Sequence, residues 1–589
     1  MHPIELVTLL SIIYESAALN FIPQTTENVT NLQRCTTEIQ RRYGKSDENV
    51  VYISFNDRYR NLQLQGPVII QNGLLDLVYF QWIRAQFYVI EIPRGDFERV
   101  FNFLVLTKSW NPRAKFVVFI QDDVLEHLVA ILRKYFVYNI VFVLERSEGE
   151  IVIMTYHPFN DNNETQILAE CRNGHFGDDR DLFPDKLPKT WENFPVRLIL
   201  FAYPPFVIVE KGQNYGMEVE IFKMVKSHLR LRVEYVDKPI ANWGRKLSNG
   251  SYEGAYGYLR RYEVEGALGL FYANASVNWD FDQSYPYMED DSKWVVPAAK
   301  RQARWIGVTK IFQPDIWAVT LTCLLLVTLV LCLYGYHFPS MGRHQSFWYS
   351  MIASYKTFLG QSTVLPRTGC IRVLLGLWIF FGLVMTSAFQ GRLISVLNFS
   401  RFEKQIANID DLRESKIAFG YYKDAAYLYS NPKEKDKFLY HNFVDCPIDL
   451  RCLNRTAFKG DFATFKPKKF IEYLISTIYL GKDGRPLVYA FKDNIYKFLI
   501  TVAFAKGFPI LPEVNKVLLH LRVHGFIDFY YKKANYLAKK AIKSAVNEEL
   551  FAQVLEMNDV FWVFCLLIFG LAISTYVLLV EVLIFKYLH

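Results

Sequence analysis

The sequence predicts a multidomain membrane protein: an α/β module of two lobes, split by an α-helical membrane domain with three transmembrane helices and one short re-entrant segment. Three observations predict it. Three runs of about 20 residues carry no charge, a shorter apolar run with a single charge lies between the first two, and mixed strand and helix patterning occurs on both sides of this block. Composition agrees, since charged residues make up 21% of the chain, below the soluble average of about 25%, and apolar residues 51%, which excludes disordered and collagen-like classes. A net charge of +8 is mild for 589 residues. With no Lys/Arg-rich run and no metal-finger Cys/His spacing, no nucleic-acid partner is expected.

Taken in order, residues 6–13 form a short apolar core followed by Ser16-Ala17-Ala18, which reads as a signal peptide over 1–18, imperfect in carrying Glu5 and no Lys or Arg. Residues 19–190 are expected to be a short extracellular domain. The first lobe is placed at 191–312: residues 196–201 and 206–209 are strand-like, Tyr203-Pro204-Pro205 breaks them, and 217–229 has helical spacing. Residues 316–334 are uncharged over 19 positions, long enough to cross a hydrocarbon layer of ~30 Å, and define a span at 313–336. Residues 346–359 are apolar and aromatic with Lys356 as the one charge, too short to cross, and lead into Gly360, Gln361, Ser362 and Thr363. A re-entrant loop over 344–363 fits, because non-helical backbone at membrane depth survives when buried in protein or lining water; an interfacial amphipathic helix is the alternative. A second span is placed at 371–392, around the uncharged run 373–391 between Arg372 and Arg392. The second lobe follows at 398–557, where Pro512 opens a helix with Val514, Val517, Leu518 and Leu521 on one face and Gly525 closes it. The third span, with a short cytosolic end, occupies 558–585 around the run 560–580. Core helices of a large soluble fold are the competing reading of the three runs.

Orientation follows from Lys and Arg near the span ends. Arg343, Arg367 and Arg372 flank the re-entrant segment and put that face in the cytoplasm, so both lobes face outward from a plasma membrane. Cys35, Cys171, Cys446 and Cys452 fall in the outer segments and can pair in three ways, of which Cys446 with Cys452 and Cys35 with Cys171 is the most local. The sequons at Asn28, Asn163, Asn249, Asn274, Asn398 and Asn454 all lie outside the spans, on the outer side.

Lys356 has two readings, a pore-facing cation or a side chain snorkelling to the cytosolic mouth. Gly360, Gln361 and Ser362 are the better candidates for a constriction, since small and amide residues let carbonyls approach an ion. His157 and His175 have no partners at metal-ligand spacing, and neither a phosphate-binding Gly-rich loop nor a nucleophile elbow is present. No metal, cofactor or enzyme activity is expected.

This order of leader, half-module, span, re-entrant loop, span, half-module and span resembles the ionotropic glutamate receptor superfamily over residues ~195 to 585. Pro314 to Trp317 before the first span, Ser346-Phe347-Trp348, Pro366-Arg367, the stretch 409–420 and Gly525-Phe526-Ile527-Asp528 carry the resemblance. It implies a bilobed, periplasmic-binding-protein-like ligand-binding domain and a channel domain. The departures matter too. Family members that bind glutamate clamp its α-carboxylate with an Arg, a bidentate geometry that Lys does not copy. Matching 282–287 to the family's segment puts that position near Val277, and no Arg occurs between Arg261 and Arg301. The acid that holds the ligand amine falls near Asn494, beside Asp493. Residues 388–397 resemble a loosened form of the family's gate, containing Phe389 and with Arg392 at its Asn position; for Arg392 a membrane-anchor reading is equally open. Tyr203, Pro205, Phe206 and Tyr285 then line an aromatic cleft, with a core role as the alternative.

These departures and the short N-terminal region resemble the divergent insect ionotropic receptors, the chemosensory branch. The resemblance implies a ligand-gated, cation-conducting channel subunit that binds a small molecule other than glutamate and assembles with a co-receptor subunit as a heterotetramer. Two rivals are a non-conducting accessory or ligand-presenting membrane subunit and a secondary transporter, the latter disfavoured by three spans without an internal repeat.

Overall fold

A computed structural model describes residues 30–588 apart from 56–63, 73–83, 92–95, 108, 121–124, 147–148, 160–164, 178–179, 189, 193, 211–212, 239–241, 248–249, 302–310, 339–342, 362–368, 399–401, 423–436, 482–483 and 546–556. The signal-peptide segment, Asn28, Asn163, Asn249 and Ser362 lie outside the described residues. The chain forms two compact units, Met1–Asp290 with Lys497–Leu537 and Asp291–Tyr496 with Ala538–His589.

The N-terminal part of the first unit, for which the sequence predicted no fold, is an eight-stranded sheet. Val68–Asn72, Val50–Ser54, Phe87–Glu91, Lys115–Ile120 and Ile140–Glu145 run parallel, and Ile151–Tyr156, Thr165–Arg172 and His175–Phe176 add antiparallel hairpins. Its central strands are near-continuous apolar runs, buried at every position in Val50–Ser54 and Phe87–Glu91, as expected of parallel strands covered on both faces. Helix Asn31–Tyr43 starts with a capping box between Thr30 and Gln33 and is tied to Thr165–Arg172 by the disulfide Cys35–Cys171.

A second sheet completes this unit. Arg232–Val236 and Gly266–Tyr272 flank Pro195–Leu200 in parallel, and Tyr496–Phe504 joins Gly266–Tyr272 antiparallel. The apolar face of helix Met217–Leu229, predicted from its spacing, supplies buried Val219, Ile221, Phe222 and Val225. The two sheets share one core: Trp110, Tyr135 and Phe116 of the N-terminal part cluster with Ile199, Tyr262 and Ala503.

In the second unit, Met288–Pro297 pairs antiparallel with Phe462–Pro467 and Val488–Ala490, and Ala418–Tyr421 continues the sheet. Its core gathers around Trp294, Phe419 and Tyr421. Cys446 and Cys452 form the second disulfide. Three helices are long and apolar enough to cross a membrane, in Pro314–His337, Gly369–Ser395 and Val563–Ile584. The last is 0% buried, so a surface this apolar requires lipid or another chain to cover it. Mixed α/β sheets joined to three apolar helices are the architecture of a membrane protein.

Candidate functional site

The short apolar segment between the first two long helices is itself a helix, Phe347–Phe358. Ser350, Ser354 and Thr357, at i, i+4 and i+7, are its buried face. Two glycines let the long helices approach it and the residues leading into it. A Cβ on Gly335 would stand 2.7 Å from the His344 carbonyl carbon, and one on Gly382 would stand 2.4 Å from the Phe358 oxygen. Trp378 Nε1 donates to the Ser354 carbonyl at 3.0 Å, and the Phe358, Trp378 and Phe381 rings close the seam. Lys356 is exposed in the last turn, where a cation complements the helix dipole. Gly360 follows with φ 74 and open space around its Cα, held by its N–H to Thr357 O at 3.1 Å, and Gln361 is exposed. These three residues sit together at the free end of the short helix.

At the far end of the second long helix, Phe389 and Leu393 meet Ile311 and Phe312, which immediately precede the first. The Phe312, Trp317 and Phe389 rings lie 5.7 to 6.3 Å apart, so the entry to the first apolar helix is clamped to the region expected to hold the gate. Arg392 is exposed one turn on.

The residues expected to bind ligand divide between the units, with Tyr203, Pro205, Phe206, Val277 and Tyr285 in the first and Asp493 and Asn494 in the second. Tyr203 is 3% exposed and Phe206 0%, which corrects the expectation that Phe206 lines a cleft: it is core, its carbonyl packed against Gly216. Pro205 is buried beside it as well, and its carbonyl accepts from Met217 N at 2.9 Å. Val277 opens a 3-10 turn and rests on the shared core, so that position offers no cation. Tyr285 is 63% exposed and lines a cavity of about 390 Å³ with Arg113, Leu511, Pro512, Asn515 and Lys516. It does not join Tyr203 there. Asp493 and Asn494 are exposed in the turn between Phe491, whose N–H binds Trp294 O, and Ile495, whose N–H binds Ser292 O. The sequons at Asn274 and Asn454 are in described segments; Asn454 is exposed and its Oδ1 accepts from Tyr479 Oη at 2.6 Å. Asn398 ends the helix Gly369–Asn398.

Sequence reasoning missed the residues that surround Tyr203. Phe201, Tyr203 and Trp243 form a ring cluster with centroids 5.1 to 6.0 Å apart, and Tyr272 meets Trp243 at 6.5 Å. Glu218 is buried beneath the neighbouring strand, where its carboxylate accepts from the N–H groups of Gly269 and Leu270 and from Tyr287 Oη. Burial raises its pKa from the usual range, and these donors oppose the rise. A charged position inside a helix that otherwise reads as amphipathic was the one available signal. A further cavity of about 1400 Å³, lined by Tyr135, Phe136, Trp191, Arg197, Arg260 and Glu263 among others, includes none of the expected residues. Among the described residues, no group of His, Cys, Asp or Glu is placed to hold a metal ion.

Residues 313–571 match the ligand-gated ion channel family. That region takes in the first two apolar helices, the short one between them and the beginning of the third. The chain is also similar to the human delta-2 ionotropic glutamate receptor, 21% identical over 447 residues that make up 70% of this chain and 43% of the receptor. A kainate-type ionotropic glutamate receptor of Caenorhabditis elegans is 23% identical over 255 residues, 39% of this chain and 30% of its own. Glutamate receptor 2.5 of Arabidopsis thaliana is 24% identical over 361 residues, 57% of this chain and 38% of its own. The chain spans less than half the length of each of these relatives. The ligand-gated channel region thus carries a similarity to ionotropic glutamate receptors, a superfamily of receptors and not of enzymes.

Proposed function

We propose that the chain is a subunit of a ligand-gated, cation-conducting channel of the plasma membrane, acting in chemosensation as a divergent ionotropic receptor. The observation that carries this reading is the ligand-gated channel match over 313–571, which contains the first two apolar helices and the short helix between them and reaches into the third. In this reading the helix Phe347–Phe358 is a re-entrant pore helix, Gly360, Gln361 and Ser362 form the constriction, Lys356 stands at its cytosolic mouth, and Phe389 and Arg392 belong to the outer gate. One short loop cannot encircle an ion, so the pore needs several subunits, and a co-receptor in a heterotetramer is the proposed assembly. The ligand is a small molecule other than glutamate, since no Arg occurs in the sequence between Arg261 and Arg301, around Val277, where the resemblance places the clamp, and Trp243 and Tyr272 supply aromatic surface.

A ligand that binds one arrangement of the lobes more tightly shifts the population toward it. The packing of Ile311 and Phe312 against Phe389 and Leu393 couples the segment that enters the first apolar helix to the residues proposed for the gate. The test is current recorded from cells that express the chain with candidate co-receptor subunits during application of a panel of odorants and tastants. Ligand-dependent cation current that disappears when this chain is omitted supports the proposal. Surface-expressed complexes whose permeability ignores every substitution in Lys356, Gly360 and Gln361 would replace it with the accessory-subunit reading.

A further inference from the structure

The cavity of about 1400 Å³ in the first unit is lined from both of its sheet modules and by none of the residues expected to bind ligand. Tyr138, Tyr156 and Phe159 belong to the N-terminal part, and Phe194, Arg197 and Tyr262 to the part that follows. Its volume exceeds the roughly 300–1,000 Å³ of a small-molecule site, so a compact organic ligand enters without displacing a side chain. One wall is aromatic: the rings of Phe159, Trp191 and Phe194 lie 5.3 to 6.0 Å apart, and Tyr138 meets Phe159 at 6.1 Å. Trp191 is buried, whereas Phe159 and Phe194 are half-buried and keep open ring surface.

The charges around the cavity are unequal. Among the described residues five basic side chains and three acidic ones line it. Each of the acids already has a cation, Glu192 in Arg230, Glu263 in Arg261 at 2.5 Å and Glu265 in Arg197 at 2.5 Å, and Arg260 stands 3.3 Å from buried Asp280. Arg133 and Lys134 carry the surplus, side by side in the last turn of the helix Leu125–Lys134. The helix end there offsets roughly half a charge, less than either cation brings. Lys134 is exposed, makes no ion pair among the described residues, and holds its Nζ 5.2 Å from the centre of the Tyr135 ring. Arg133 acts electrostatically on the hydroxyl of Tyr156, three residues from Phe159, so the cations and the rings belong to one part of the cavity.

We infer that this cavity is a second ligand site, for an aromatic carboxylate. The flat body of the ligand lies on the open surface of Phe159 and Phe194, where ring contacts add to the burial of apolar area, and its carboxylate accepts charge-assisted hydrogen bonds from Arg133 and Lys134. The surplus of positive charge disfavours amines in the same place. This site goes beyond the channel reading and does not depend on it, since it requires only the two modules of the first unit. An occupant touches both of them.

The experiment measures binding of tritiated 2-naphthoate to the full chain in nanodiscs of zwitterionic lipid, with empty nanodiscs as background and 2-naphthamide, its uncharged isostere, as competitor. Naphthoate should bind saturably and naphthamide about tenfold more weakly, the factor that loss of a charge-assisted hydrogen bond brings. Lys134→Glu, at an exposed position, should weaken naphthoate by about tenfold while naphthamide stays within about twofold, and Lys134→Arg should keep the wild-type affinity. Phe159→Ala should weaken both compounds alike, by about fivefold. Absence of saturable naphthoate binding, equal affinities of the wild type for the two compounds, or naphthoate binding indifferent to Lys134→Glu or to Phe159→Ala overturns the proposal. The wild-type comparison needs no variant to fold. Because no current is read, loss of the channel reading leaves the result standing, and a conducting chain that fails these tests loses this site alone.

Discussion

Replacing Asp282 by Asn should loosen the junction between the N-terminal sheet and the sheet that follows it. Asp282 is 7% exposed, and its Oδ2 accepts from Arg113 Nη2 at 2.7 Å and from Gly507 N at 2.9 Å, while Oδ1 lies 3.1 Å from Lys506 Nζ. Lys506 is 4% exposed and, among the described residues, otherwise donates to the carbonyls of Asn278 at 2.7 Å and Phe281 at 3.2 Å. Asn keeps the shape and one acceptor but removes the charge, which leaves the lysine buried without its counterion. Breaking a buried pair from one side costs about 3–5 kcal/mol, and the more exposed Arg113 bridge adds roughly 0–1 kcal/mol. With one acceptor retained, the lower end applies. At about 2–4 °C per kcal/mol for a unit of this size, a loss of roughly 3 kcal/mol lowers the unfolding midpoint by about 6–12 °C. The assay is tryptophan fluorescence of the purified chain during heating, since Trp110 sits at this junction and donates to Tyr262 Oη at 3.2 Å. The double variant Asp282→Asn with Lys506→Met removes the orphaned charge and should recover a substantial part of the loss. A single variant within about 1 kcal/mol of the wild type, or a double variant less stable than the single, would refute the reasoning.

Lys186 is buried among the carbonyls of Tyr138 and Ile140 and the hydroxyl of Thr155, and burial pushes its pKa down to about 7. The folded chain therefore sheds a proton that the unfolded chain keeps up to the usual lysine range, so stability of the N-terminal sheet should rise between pH 7 and about pH 10, and Lys186→Met should flatten that rise in thermal unfolding. Gly382→Ala places a methyl group 2.4 Å from the Phe358 oxygen and should separate the short helix from the second span, abolishing current with reduced surface expression. Enlarging Gly360, which has open space around it but a φ of 74, should reduce conduction, while replacing Gln361 should move reversal potentials at normal surface expression. Asn454 is exposed and should carry a glycan on the outer face; a site reached only by cytosolic proteases reverses the topology.

The lipid-facing part of this protein was legible in its sequence. Apolar helices extend from Pro314, Gly369 and Met557 through the three uncharged runs, and a helix begins at Phe347 where the short run does. The reason is that transfer of a side chain to hydrocarbon is local and additive along the chain, and in lipid the backbone has no choice but to satisfy itself within each segment. The helices Met217–Leu229 and Leu511–Val523 were readable for a related reason, as their apolar spacing and end residues act within a few turns.

What only the tertiary structure decided lies between residues remote in sequence. Arg113 meets Asp282 across 169 positions and Gly507 meets it across 225, and Tyr287 reaches Glu218 across 69. Phe206, which composition offered equally to a cleft or a core, went to the core. The turn of Gly269 and Leu270 toward Glu218 is invisible to propensity, because Leu enters that conformation only when a distant acceptor and a crowded Phe201 backbone impose it. Sequence fixes energies that are summed along the chain, whereas charge neutralisation in a buried site depends on which distant groups the fold has brought within about 3 Å of one another.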